Sequence, residues 1–518
     1  MSDLEKLQKA VELTSSAGYN LRKEAFDFLS LLSATQDPSE IMKKVIQEIE
    51  NSREKPLFID KDFLERVMEE KKIVGEEMIE SPEASCQILS EPMLKEGKKH
   101  FHPFAKDYDA NLTVINNPEE KLGSDGTIDD YLEYFCDRFK RMEKILRQRI
   151  DVRSARSVTD ALKASKNEKI KIIAMITNIR ESKDRILLTI EDFHSNATVL
   201  VPNHGSQELI QKARSLLLDQ VICINVRKTR GALLIADEII FPDVATKKKN
   251  TAPIPVHAVL TSDLHVGSSK FQEEAFERFI LWLNGKCGNE KTRKMAGHVK
   301  YVLLAGDVVD GIGVYPNQLK ELAIDQIAEQ YRFAGKFIEQ IPDYIEVVII
   351  PGNHDASRNA LPQPAILKEF MEPLQESRTV HSLGNPCYLS LDGVEVLLYH
   401  GRSLDDIIST VPGMVHDHPE KAMRLLMKSR HLAPVYGGKT PLASENNDLL
   451  VIDNIPDIFH SGHIHKLEYG NYRGVTIVNS GCWQEQTNYM KRHGFVPTPG
   501  KVPVVNLQDL SLQVVTFI

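Results

Sequence analysis

Five short clusters of Asp, Asn, His and Gly gather the side chains that bind borderline divalent metal ions: VHAVLTSDLHVGS, KYVLLAGDVVDG, IEVVIIPGNHDAS, VEVLLYHGRS and IPDIFHSGHIHK. They supply Asp263, His265, Asp307, Asn353, His400, His463 and His465, which are carboxylates, imidazoles and one amide oxygen. That mix suits Mn, Fe or Zn. It lacks the thiolates that select structural zinc and is too rich in imidazole for calcium or a simple magnesium site. Seven ligands exceed what one ion takes from a protein, so two ions about 3.5–4 Å apart with a shared carboxylate is the economical arrangement. Such sites serve phosphoryl and related hydrolysis. Taken alone, each piece has an ordinary explanation. His400 could be a satisfied structural histidine, GHIH two surface residues, and GNHD a turn in which Gly supplies positive φ and Asn caps a helix. Five in order, each at the end of an apolar run, point to an enzyme.

The elements that must position them are strands. Each cluster ends an apolar, β-branched run, and in open α/β sheets ligands bind beyond the carboxyl ends of strands. The motifs DLH, GDVVD, GNHD, a lone His after a strand and GHIH resemble the calcineurin-like metallophosphoesterase superfamily, from about residue 256 to 518. The resemblance implies an α/β sandwich and two divalent ions, Mn2+ above all, with Mg2+, Fe2+ or Zn2+ as alternatives. It assigns one ion to Asp263, His265 and His465, the other to Asn353, His400 and His463, and makes Asp307 the bridge. It further implies that a hydroxide attacks phosphorus in line. In this scheme His354 stabilises the transition state and protonates the leaving oxygen, and Asp310 fixes the tautomer of His354.

The remaining chain is ordinary in composition: 518 residues, 42% hydrophobic, 26% charged, formal net charge -9. The acidic balance argues against coating nucleic acid by bulk charge, so any grip on it must be local or borrowed. No apolar run approaches the roughly 18 residues of a membrane span and the start lacks a signal-peptide pattern, so an intracellular, cytoplasmic protein with no membrane partner is expected. Six cysteines without a CxxC pair suggest neither a disulfide framework nor a thiolate zinc site. Residues 1–70 read as a small helical module, with Asp37-Pro38 opening its last helix, and 71–126 as a flexible linker rich in Pro, Gly and charge. Residues 127–250 read as a helix plus a five-strand barrel of the oligonucleotide/oligosaccharide-binding (OB-fold) kind, and 251–518 as the hydrolase domain.

Within the helix, Arg138, Lys140, Arg141, Lys144, Arg147 and Arg149 interleave with Phe135 and Phe139. A solvated face is favoured there over a DNA contact. The barrel span from 168 to 244 holds only Phe193 and Phe241 as aromatic residues, which favours protein docking over base stacking. Arg402 is expected to meet either a substrate phosphate or one of Asp405 and Asp406. The ending LQDLSLQVVTFI alternates as closing strands do, which outweighs a likeness to a sliding-clamp peptide.

This order of parts, with the strings YHGRSLDDII, HLAPVYGGKTPLASENNDLLVIDNIPDIFHSGHIH and VVNLQDLSLQVVTFI, resembles the small subunit of the archaeal family-D DNA polymerase over nearly the whole chain. The resemblance implies a metal-dependent 3′-to-5′ exodeoxyribonuclease that proofreads a single-stranded or mismatched primer end for a separate large polymerising subunit. A sliding clamp would be reached through the complex. A scaffolding accessory subunit, or a metallophosphatase of another substrate, is the alternative.

Overall fold

The computed structural model describes residues 101–518 continuously apart from 184, 203–205 and 230–232, and before them only selected positions, mainly 20–21, 38–51, 58–59 and 84–85. The chain divides into two compact units, Met1–Glu80 and Ser81–Ile518. In the first, strands β1 (Asn20–Leu21) and β2 (Phe58–Ile59) pair in parallel and helix α1 spans Pro38–Asn51. Pro at the start of α1 lacks only an N–H that a helix leaves unpaired there. Asp37 lies outside the described residues. Leu29, Met42, Val45 and Ile59 share a small core.

In the second unit, β3 (Ala84–Ser85), β4 (Leu112–Asn116) and α2 (Ile128–Arg147) precede a closed five-strand barrel. Its strands are β5 (Lys169–Ser182), β6 (Arg185–Glu191), β7 (Asn196–Pro202), β8 (Val221–Lys228) and β9 (Leu233–Ile240), in the order β5-β6-β7-β9-β8, with α3 (Gln207–Arg214) between β7 and β8. Every second residue points inward, as with Ile186, Leu188 and Ile190 of β6.

Two sheets follow. The first joins β10 (His257–Thr261), β11 (Val299–Ala305), β12 (Glu346–Ile350), β13 (Val380–Ser382), β19 (Lys501–Asn506) and β20 (Leu512–Thr516) in the order β13-β12-β11-β10-β19-β20-β3. The second joins β14 (Cys387–Leu391), β15 (Val394–Tyr399), β16 (Ile458–Ser461), β17 (Glu468–Tyr472) and β18 (Val475–Asn479) in the order β17-β18-β16-β15-β14-β4. Successive residues of β11 serve two cores. Tyr301, Leu303 and Ala305 pack in the same core as Val394, Val396 and Leu398 of β15, whereas Val302 and Leu304 pack with α4 (Glu273–Leu283) and α5 (Ile327–Ile338). Strands buried on both faces explain why these runs are continuously apolar rather than alternating. On the far side, α6 (Leu404–Thr410) and α7 (Pro419–Ser429) share one core with the barrel strands. Among the described residues no helix is long and apolar enough to cross a membrane.

Three expectations change. From Phe101 onward the supposed flexible linker is part of the fold: β4 pairs antiparallel with β14, and the Lys300 ammonium donates to the carbonyls of Ala105 at 3.2 Å and Tyr108 at 2.6 Å. Polar composition had hidden an edge strand whose support comes from distant residues. Cys287 is disulfide-bonded, contrary to the reading of the cysteines as unpaired. The basic helix face is not simply solvated. Arg138, 1% exposed, lies 2.6 Å from Asp448 and also donates to Pro434 O at 2.6 Å and Tyr134 Oη at 2.9 Å. His431 Nε2 meets the same Asp448 oxygen at 2.7 Å, and Arg141 pairs with Asp453. The helix is thereby fastened to the segment 431–453. Phe193 of the barrel is also engaged internally, with its ring centre 4.7 Å from that of Phe139. At the chain's end, Phe517 is fully buried beside Trp282 and Trp483, as a closing strand requires.

Removing Arg138 would leave the Asp448 charge buried, so Arg138→Ala is expected to cost about 3–5 kcal/mol, read as a lowered urea midpoint at neutral pH. The pH dependence has a definite sign. Burial alone would raise Asp448, but His431 and Arg138 hold its carboxyl well below 3.8, and burial pushes His431 down from 6.5 to about 4. Both folded values are depressed, so both contributions are present at neutral pH and are lost on acidification, His431's between 6.5 and about 4 and Asp448's below 3.8. The gap between wild type and Arg138→Ala should therefore narrow in acid. An unchanged midpoint in Arg138→Ala at neutral pH would refute the clamp.

Candidate metal centre

The site lies at the carboxyl ends of both sheets. Asp263 and His265 follow β10, Asp307 and Asp310 follow β11, and Asn353 and His354 follow β12, the three strands running parallel. His400 follows β15, and His463 and His465 follow β16, again parallel. Five of these residues, Asp263, His265, Asp307, His463 and His465, have φ between 52° and 70°, the left-handed region that non-glycine residues seldom adopt. In DLH and HIH the strained positions alternate, so the two flanking side chains turn to the same side of the chain. Backbone strain of this kind gathers where side-chain direction matters more than local comfort.

Close approach dictates two glycines. A Cβ on Gly352 would collide with the Asp307 carboxylate and lie 2.5 Å from its backbone nitrogen, and one on Gly462 would lie 2.5 Å from Asp263 Oδ2. The backbone also holds the carboxylates directly: His354 N–H donates to Asp307 Oδ1 at 2.9 Å, and His463 N–H to Asp263 Oδ2 at 2.9 Å.

Asp307 Oδ2 is central, 3.4 Å from His400 Nε2 and 3.6 Å from His265 Nε2. His265 Nε2 is 3.0 Å from His465 Nε2, which lies 3.4 Å from Asp263 Oδ1. His400 Nε2 is 3.0 Å from Asn353 Oδ1. Three overlapping groups of ligand atoms result here among the described residues, Asp263 with His265 and His465, Asp307 with His400 and His463, and His265 with Asp307 and His354. Asn353 adjoins the second through His400.

The tautomers define what these atoms can do. His400 Nδ1 donates to Ala305 O at 2.8 Å and His265 Nδ1 to Asp310 Oδ1 at 3.0 Å. Both rings thus direct Nε2 at other acceptors: a carboxylate, an amide oxygen, another imidazole. Acceptors converging in a buried place require a cation between them, a proton or a metal ion. Asp263 and Asp307 are 0% and 2% exposed, and their ion-pair partners among the described residues are histidines. Burial alone would raise Asp307, yet His400, His354 and His265 hold its carboxyl well below the usual range. Burial opposes protonation of His400, but Asp307 raises it to about 9. Burial lowers His265 against its bond to Asp310. The buried Nδ1 of His465 has no hydrogen-bond partner. Carboxylate, imidazole and amide donors in this arrangement fit divalent ions of the Mn, Fe or Zn type.

Asp310 does not take the place expected of it. Its carboxylate orients His265, and Gln318 and Gln484 each hold one of its oxygens at 3.0 Å. His354 Nδ1 donates instead to the Asp310 backbone carbonyl at 2.7 Å. That bond fixes the tautomer, leaving Nε2 to exchange a proton. Arg402 meets neither Asp405 nor Asp406; it donates to Asn359 Oδ1 at 2.6 Å. Asp405 instead lies 3.0 Å from His463 Nε2, and although burial would raise it, His463 and His416 hold its carboxyl far below the usual range. Asp405 thus leaves Nδ1 of His463 to face the site. Asp355 was also missed. It accepts from the N–H groups of Gly352, Val308 and Val309 and ties the β11 and β12 turns together, while burial, with the nearby Asp307, pushes its carboxyl up to about 6. Its place in GNHD, and the position of Asp405 three residues after an arginine in RSLDD, were the available signals.

Residues 258–469 match the B-subunit family of DNA polymerases alpha and epsilon. The chain is 41% identical to the DNA polymerase II small subunit of Archaeoglobus fulgidus, over 76% of this chain and 78% of that one. It is 39% identical to the namesake of Methanothermobacter thermautotrophicus over 79% of this chain and 84% of that one. With the Halobacterium salinarum protein of that name it shares 33% identity over 99% of both chains.

Adding Mn2+ to the wild-type chain is expected to raise its unfolding temperature, by the equivalent of about 2.7 kcal/mol at a hundredfold excess over Kd, and a chelator should reverse this. In Gly352→Ala the displaced Asp307 carboxylate should abolish the increment. An equal shift in both proteins would show that the ion binds elsewhere.

Proposed function

The chain belongs to the DNA polymerase II small-subunit family, and from that membership we propose that it is the accessory subunit of a two-subunit archaeal replicative polymerase and hydrolyses DNA phosphodiester bonds 3′-to-5′ to remove mispaired ends. The observation that carries the hydrolytic half is the convergence of acceptor atoms about Asp307 Oδ2. A subunit kept only as a scaffold has no use for buried carboxylates on strained turns.

In this reading residues 251–518 form a calcineurin-like α/β sandwich. One divalent ion would be held by Asp263, His265 and His465 and a second by Asn353, His400 and His463, with Asp307 available to both. Manganese is the first candidate. Ions bound there would supply Lewis-acid stabilisation of the charge that develops on a phosphodiester. The chain's own groups do the rest. Asp310 turns His265, Asp405 turns His463 and the Ala305 carbonyl turns His400, so that each ring presents a lone pair inward. His354, held at Nδ1 by Asp310 O, delivers a proton from Nε2 to the leaving 3′ oxygen.

The barrel's strand order, first-second-third-fifth-fourth with a helix between third and fourth, supports an OB-fold assignment for 127–250. With Phe193 engaged by Phe139, the barrel serves assembly, and the large polymerising subunit is its proposed partner. DNA then enters a channel that the two subunits share, and a sliding clamp is reached through the complex.

The test is digestion of a 5′-labelled single-stranded or mismatch-ended oligonucleotide with Mn2+, by the chain alone and with the large subunit. A ladder receding from the 3′ end is expected. Asp307→Ala should abolish it, His354→Ala should slow it roughly 10²–10⁴-fold, and both should still bind the large subunit. Undiminished hydrolysis by purified Asp307→Ala would sink the site assignment. Intact DNA in every arm, with a generic phosphodiester still cleaved, would leave the chemistry and remove the replication role.

A further inference from the structure

An arc of aromatic rings borders the cluster and takes no part in orienting its ligands except at one end. Tyr489 and His493, on α8 (Asn488–His493), have ring centres 4.3 Å apart; His493 and Phe495 lie 5.7 Å apart with planes 20° from parallel. Phe495 and His416 are 3.9 Å apart, and His416 lies 3.5 Å from Asp405, the residue that orients His463. At the other end Tyr489 is 6.4 Å from Tyr315, whose ring is 6.3 Å from that of His354. The rings thus lead from the proton-transfer histidine round to the cluster's opposite side.

Between them and the segment 408–417 lies a cleft of about 380 Å³ whose walls include Met414, His416, Ile464, His493 and Phe495. Ile464 sits between the two histidines of the HIH motif, so the cleft opens directly beside the ligands. Tyr489 is 52% exposed and Val496 60%. The last turn of α8 adds Lys491, Arg492 and His493. Planar apolar faces beside basic side chains are what unpaired nucleobases and their phosphates recognise, because every base has a π-face whatever its sequence.

We propose that this arc is a stacking platform for the unpaired bases at the end of a DNA single strand, holding the terminal phosphodiester over the ligand cluster. Bases still stacked within a duplex cannot offer their faces, so the platform favours frayed or mismatched ends. The proposal rests on the hydrolytic reading above and names how its substrate is chosen.

The experiment measures, for each protein, the ratio of kcat/KM on single-stranded DNA to kcat/KM on bis-p-nitrophenyl phosphate, which has no base to stack. In Tyr489→Ala and in Phe495→Ala the ratio should fall about tenfold or more, and Tyr489→Phe should restore it. An oligonucleotide with abasic sites at its last two positions should lower the wild-type ratio similarly and lower that of Tyr489→Ala no further. A ratio that stays at the wild-type value in both alanine variants, or an abasic penalty equal in wild type and Tyr489→Ala, would overturn the platform while leaving the hydrolase standing. Lost binding of the large subunit with an unchanged ratio would identify a protein contact instead and equally overturn it. If wild type cleaves neither substrate, with or without the large subunit, the hydrolytic reading falls and the platform with it.

Discussion

The requirement that shapes the two-sheet part of this chain is the burial of Asp263, Asp307 and Asp310 within one small volume. Carboxylates removed from water must be met by donors or cations, and like charges at this spacing oppose one another. The protein supplies imidazoles and backbone N–H groups from five strand ends. Delivering them requires both sheets to end at the same level, and that in turn requires their strands to be buried on both faces. Left-handed turns at Asp263, His265, Asp307, His463 and His465, and glycines at 352 and 462, follow from the need to bring backbone against carboxylate.

Much of this was legible from local spacing. DLH, GNHD and HIH each place their side chains within two or three residues, after runs that could only be strands, and the structure places all seven ligand-type residues and His354 at those strand ends. Asp310 was recognisable as part of the group but not in its role. Its side chain and its carbonyl serve different histidines, and no sequence pattern distinguishes the two. Asp355 was in view but unassigned and Asp405 was weighed only as a partner of Arg402, because what they hold, the turn at Val308 and the ring of His463, is far away in sequence.

The rest of the chain shows the same limit. Alternation foretold the five barrel strands, since inward and outward positions are neighbours in sequence. The role of Arg138 was hidden because its partner Asp448 is 310 residues away, and a buried guanidinium looks like any other basic residue on a helix. β4 was hidden because an edge strand borrows its order from the strand beside it, here β14. The disulfide at Cys287 was hidden because spacing alone does not reveal a pair formed by the fold.

The packing links the barrel to the acid-and-histidine cluster. α6 carries Asp405 toward His463 and, on its buried face, Leu404, Ile407 and Ile408 into the core shared with the barrel's Ile172, Leu188 and Val226. A close-packed core transmits displacement because it has few voids to absorb it. A displacement of the barrel's inner residues is therefore felt in the core that α6, the helix carrying Asp405, helps to form. Both sets of side chains belong to one contiguous apolar core that contains none of the site's carboxylates or imidazoles. The same helix stands beside the cleft, since Ile408 and Ser409 are among its walls. The barrel and the Arg138–Asp448 clamp are built without the site's carboxylates and imidazoles, so loss of those side chains would leave both in place.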